Sequence, residues 1–239
     1  MNKSNKNIVS EEAYINQYFI TSINKVTSLK KLNKYNDAEL ILEELSIKFP
    51  SKEFDAKQQL ADIYFEQKHY EKALELYTKY LNVKTNDSMI KNMKECASQV
   101  EQKYLDELSN DSTNLELILK VAKNFNWQDK YEDAIKYFKQ ALDIKQDEKD
   151  ENTFKIYVEM AFIYSKLQNF EESNNYAKLA IEINYSDTLA HMLLGTNLFI
   201  QGKFKEAKSC FKNIMSINPN NSTKDTIMKF ITQCDSQIN

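Results

Sequence analysis

The chain has 239 residues, 42% hydrophobic and 12% aromatic, with two glycines, two prolines and a formal charge of -3. That length and apolar content can bury a substantial core, while so few glycines and prolines argue against the turn chemistry of sheets, hairpins and phosphate-cradling loops. Lysines and carboxylates are closely mixed with no basic block, and arginine is absent, which argues against nucleic acid as a partner and removes the planar fork used in phosphoryl transfer.

The start, residues 1–10, is polar, has no apolar core of a signal peptide and reads as a disordered N-terminal tail. The longest unbroken apolar run is only Met160 to Tyr164, which predicts no membrane insertion and a cytoplasmic location. From Glu11 to Leu32 a long helical pattern follows. An aromatic-then-small pair then returns five times: Tyr35 and Ala38, Tyr70 and Ala73, Tyr131 and Ala134, Phe170 and Ser173, Phe204 and Ala207. Each pair opens an amphipathic stretch. A repeat of this size marks stacked helix pairs, each too small to bury its own apolar face.

The small second-helix residue recurs at intervals of 35, 61, 39 and 34, so something extra lies between the second and third pairs. Met89, Met93, Cys96, Val100, Tyr104 and Leu108 step by three or four. They predict one helix over 88–109, about 32 Å long, closing the first two pairs like a lid. Ile227, Phe230, Ile231, Cys234 and Ile238 predict a second capping helix over 222–237. Two sub-arrays follow, 11–109 and 112–239. The insert between Ile144 and Thr153 reads as a solvated charged loop, without the glycine turn and terminal glutamate of a calcium loop.

Cys96, Cys210 and Cys234 are odd in number, lie in helical stretches and form no Cys-x-x-Cys, which fits buried reduced thiols. The triplets starting at Asn86, Asn110 and Asn221 match a glycosylation pattern, but Asn, Asp and Ser before a helix are natural caps. His69 falls in an inter-helix turn and His191 on a first helix, neither with a triad partner. No catalytic residue, cofactor site or metal set is expected, and the chain reads as a non-enzyme.

The last unit reads His191-x-x-Leu194-Gly195-x-x-Leu198, then Phe204, Ala207, Phe211 and Pro219. The second gives Leu60-Ala61-x-x-Tyr64, Tyr70, Ala73 and Tyr77, and the third Val121-Ala122-x-x-Phe125, Tyr131, Ala134, Phe138 and Ala141. The fourth, Met160-Ala161-x-x-Tyr164 with Phe170, Ser173, Ala177 and Ala180, and the first, Val26, Leu29, Tyr35, Ala38, Leu42 and Pro50, are looser. These units resemble the tetratricopeptide repeat. The resemblance implies an all-α, right-handed superhelical solenoid of antiparallel helix pairs, about five repeats plus extra capping helices. Short side chains at Ala61, Ala122, Ala161 and Gly195 on first helices suit close crossings.

In such arrays the first helices line a concave groove. By that resemblance the peptide-binding residues of the second sub-array are Leu119, Lys123, Asn126, Val158, Phe162, Ser165, Met192, Thr196 and Phe199, a mainly apolar set. The corresponding first-array positions, Gln58, Asp62 and Phe65, are more polar. The lysine and asparagine clamp by which some members grip acidic C-termini of heat-shock chaperones is missing. The implied function is a protein-protein interaction scaffold or adaptor that binds an apolar peptide or amphipathic helix. The alternatives are a structural protein that self-assembles into homo-oligomers through its capping helices, and a regulatory or recruiting subunit of a separate enzyme.

Overall fold

A computed structural model describes residues 3–81, 86–146, 148–219 and 223–238, with side chains from Glu11 onward. Among the described residues all the regular structure is helical, in agreement with the all-α expectation. The chain divides into two compact units, Met1–Lys103 and Tyr104–Asn239.

In the first unit, α1 (Lys3–Lys31) and α2 (Tyr35–Lys48) form one antiparallel pair, and α3 (Glu53–Glu66) and α4 (Tyr70–Tyr80) form the next. Helix α1 begins at Lys3, within the stretch read as a tail. A single 3-10 turn at Pro50–Lys52 separates α2 from α3, where proline ends one helix and starts the connection. Ile15, Tyr18, Phe19 and Ile23 of α1 lean on a buried cluster of Val26, Leu42, Leu45 and Leu60. The long first helix thereby supplies apolar surface that two repeats alone would lack.

The next helix, α5 (Asp87–Asn110), covers the stretch 88–109 read as continuous. Its cap is Asn86, whose Oδ1 accepts the Met89 N–H at 2.8 Å. Met89, Met93, Cys96 and Val100 are buried. Asn92 donates to the Tyr77 hydroxyl at 3.2 Å, and that hydroxyl donates to Asp62 Oδ1 at 2.6 Å. The last turns of α5 belong to the second unit, where Lys120 lies 4.0 Å over the Tyr104 ring.

The second unit holds α6 (Leu115–Trp127) with α7 (Tyr131–Lys145), α8 (Glu151–Lys166) with α9 (Phe170–Ile183), α10 (Thr188–Ile200) with α11 (Phe204–Ile217), and α12 (Lys224–Ile238) against α11. Asn110, read as a new cap, instead ends α5, and the cap of α6 is Asn114, whose side chain accepts from Leu117 N–H. Asp150 and Asp187 cap α8 and α10 in the same way. The triplet beginning at Asn221 has its first two residues outside the described ones. In the charged insert, Lys145 pairs with Asp150 at 2.6 Å and with Glu148. That lysine and the Thr153 N–H hold the Asp150 carboxyl down at about 2.

One turn recurs between the two helices of every pair. Asn33, Lys68, Asp129, Gln168 and Gly202 all have positive φ, between 55° and 73°, and each stands two residues before the repeating aromatic. The next residue's N–H reaches five residues back to a helix carbonyl: His69 to Tyr64 at 2.8 Å, Lys130 to Phe125 at 3.0 Å, Asn169 to Tyr164 at 2.9 Å, Lys203 to Leu198 at 2.9 Å. This is the six-to-one closure of a left-handed helix end. Only the last of the five uses glycine, so the other four carry the strain of a side chain at positive φ.

Candidate functional site

On the second unit the ends of α8 and α10 and the start of α9 surround a cleft of about 550 Å³. Phe162, Phe170, Leu193 and Ile200 supply apolar wall, Ser165 and Gln168 polar edge, and Lys166 charge. Phe162 is 38% exposed, Ile200 58% and, one turn before Leu193, Leu189 51%. Residues 189, 193, 196 and 200 of α10 fall on one helical stripe. The helices are held at this spacing by a polar chain beneath the surface. Ser165 Oγ donates to Asn197 Oδ1 at 2.8 Å, Asn197 Nδ2 to Ser173 Oγ at 2.7 Å, and Ser173 Oγ to the Ala161 carbonyl at 2.6 Å. Asn197 and Ser173 are fully buried, so each bond also satisfies a group that water cannot reach.

The nine residues read as groove residues do not share one surface. Phe162 and Ser165 line the cleft. Met192 and Phe199 lean on the core around Phe211, with the Phe199 ring edge-on to Phe204 and Phe230 at centroid distances of 5.4 and 5.5 Å. Val158 leans on the cluster of Phe154, Ala180 and Ala190, and Thr196 and Leu119 are half-buried.

Lys123 and Asn126 gather on Glu159 of the next first helix. Asn126 Nδ2 donates to Glu159 Oε2 at 2.9 Å. Burial raises the Glu159 carboxyl above its ordinary range, opposed by Lys123 and by that hydrogen bond.

Sequence reasoning missed Leu193, Ile200, Phe170, Gln168 and Lys166. Helix α10 reads Thr-Leu-Ala-His-Met-Leu-Leu-Gly-Thr-Asn-Leu-Phe-Ile, apolar on nearly every side, so periodicity could not say which stripe faces out. Lys166 and Gln168 had a weaker signal, as the last residue of a first helix and the turn residue after it.

Two depressions in the first unit are more charged. One of about 480 Å³ along α5 is lined by Asp87, Ile90, Lys91, Lys94 and Glu95. The other, about 370 Å³, lies by the α3–α4 turn, where Lys103 pairs with Glu71 at 2.5 Å. All three cysteines are buried, and His191 is buried with Nε2 3.0 Å from the Tyr185 carbonyl. Among the described residues no group of three His, Cys, Asp or Glu could hold a metal ion, and no helix is long and apolar enough to cross a membrane.

Similar solved structures include MamA, at 17% identity over 65% of this chain and 96% of that one, with a TM-score of 0.49. The first TPR of Spaghetti (RPAP3), bound to the HSP90 peptide SRMEEVD, is 24% identical over 53% of this chain and 96% of its own, with a TM-score of 0.46. The TPR2AB-domain:pHSP90 complex of yeast Sti1 is 15% identical over 89% of this chain and 83% of its own, with a TM-score of 0.44. Among curated proteins none matches significantly. Sequence models described as tetratricopeptide repeat match residues 54–87, 154–187 and 189–221, and a further one matches 128–151, together just over half of the chain. With the helix pairs described above, these matches identify the chain as a member of the tetratricopeptide repeat family.

Proposed function

We propose that the protein is a non-enzymatic interaction scaffold or adaptor, in the cytoplasm, whose second unit holds an apolar peptide or amphipathic helix of a partner chain. The observation that carries this reading is the cleft of Phe162, Phe170, Leu193 and Ile200, continued by exposed Leu189. An apolar surface left in water costs free energy that a partner's apolar side chains recover on docking. A groove built from packed first helices is also preorganised, so little ordering entropy opposes binding.

One of the similar structures is bound to an HSP90 peptide and another is a complex with pHSP90. An acidic C-terminus is not the ligand proposed here, because the cleft wall is mainly apolar and carries a single lysine, Lys166. The test is affinity capture from cytosol with wild type beside Phe162→Glu and Ile200→Glu, read by mass spectrometry. A protein held by wild type and lost by both variants, with melting temperature unchanged, is the expected result. Identical capture by all three would overturn the reading.

A further inference from the structure

Helix α2 carries the most exposed large apolar residue of the described chain, Ile47 at 80%, and seven residues earlier Leu40 at 66%. Both lie on one face, with Glu43 and Glu44, also exposed, between them. Seven helical residues span about 10.5 Å, and Leu193 and Ile200 on the cleft side of α10 have the same separation. The charges also match. Lys166 is the single charged residue in the cleft wall; its ammonium lies 5.1 Å over the Phe162 ring and makes no ion pair with any described residue.

From this match of spacing and charge we propose that helix α2 of a second copy of the chain docks in the cleft, Leu40 and Ile47 against Phe162, Leu193 and Ile200, Glu43 or Glu44 against Lys166. The inference rests on the reading of the cleft as a protein-binding site and names an occupant for it. The contact is heterologous: one copy gives its α2, the other its cleft, and each copy keeps one unused half. It uses neither of the capping helices. An amphipathic helix laid in an apolar groove is a familiar mode of association, and a charge pair at its rim fixes orientation more than affinity.

The heterologous geometry gives a mixing test. Ile47→Glu destroys the donated face and leaves the cleft intact; Phe162→Glu, or Ile200→Glu as an independent variant, destroys the cleft and leaves α2 intact. In sedimentation velocity, wild type is expected to gain mass with concentration, and each single variant to stay monomeric, weakened at least about tenfold. Mixing Ile47→Glu with Phe162→Glu should restore one contact and yield a dimer that grows no further.

Wild type that stays monomeric at high concentration, or a mixture that stays monomeric although wild type associates, overturns the proposal. Capture of a different protein by monomeric wild type, lost in Phe162→Glu, would leave the cleft as a binding site and remove the second copy from it.

Discussion

Gly195 of α10 faces Phe211 of α11 so closely that a Cβ placed on it would stand 2.9 Å from the ring's Cε1 and 3.1 Å from the Cys210 Cβ. Phe211 is itself fully buried and stacks on Phe230 of α12 with ring centroids 4.8 Å apart, so the ring has little room to retreat. The glycine thereby sets how near α10 can come to α11.

Gly195→Ala is expected to lower stability despite alanine's better helix propensity. Overpacking a filled core costs about 1–3 kcal/mol, against a propensity gain of about 1 kcal/mol. Urea unfolding should show a lower midpoint, and Phe211→Leu added to Gly195→Ala should recover part of it. A rise in midpoint on the single substitution would contradict this account.

The repeated left-handed turn makes the opposite prediction at four positions. Lys68→Gly or Gln168→Gly should raise stability by about 1 kcal/mol, because the strain of a side chain at positive φ disappears while the turn bond to the Tyr64 or Tyr164 carbonyl remains. Thermal melts of the two variants check it; a loss in both would mean that the side chains do more than occupy the turn.

Phe199 and Phe162 separate core from surface. Phe199→Glu buries a charge among Phe204 and Phe230 and should cost about 3 kcal/mol or more. Phe162→Glu at the cleft should leave the melting temperature within a degree or two, since surface substitutions fall within about 0.5 kcal/mol. Differential scanning calorimetry of both reads the contrast directly.

Glu159 gives a pH dependence. Its folded pKa is raised, so the folded state holds that proton more tightly than the unfolded state. The stability tied to the protonated form is complete below the ordinary glutamate range and is lost as pH rises through the raised value. Glu159→Gln keeps an acceptor for Asn126 and removes the buried charge. It is expected to melt higher than wild type at neutral pH, with the difference vanishing in acid; equal melting at every pH would refute it.

The buried thiols act at the other end of the scale. Burial, with Glu95 second, pushes Cys96 from 9.0 to about 12, and burial, with Glu206 second, pushes Cys210 to about 11. Stability from these neutral thiols is complete below pH 9 and declines above it, as the unfolded chain ionises first. Native protein at pH 8 should alkylate far more slowly at both positions than urea-unfolded protein, as mass spectrometry of labelled peptides would show.

The spacing of Tyr35, Tyr70, Tyr131, Phe170 and Phe204 was enough to place five second helices, because a residue every three or four positions on one face is a local property of the chain. Small residues at Ala61, Ala122, Ala161 and Gly195 were legible for the same reason: a close crossing demands them whatever the neighbours are. Cap positions were less so, since Asn110 and Asn114 are both good caps and only the actual end of α5 chooses between them.

The surface stripe of α8 was legible in part, since Phe162 and Ser165 line the cleft, but that of α10 was not. On α10 nearly every residue is apolar, and whether Phe199 or Ile200 meets solvent depends on where Phe204 and Phe230 arrive from other helices. Sequence determined the helices and their pairing, which follow from local periodicity and turn closure. Which apolar side chains were left uncovered was decided by the tertiary structure, because burial is a property of the neighbours that surround a side chain and not of the chain that carries it.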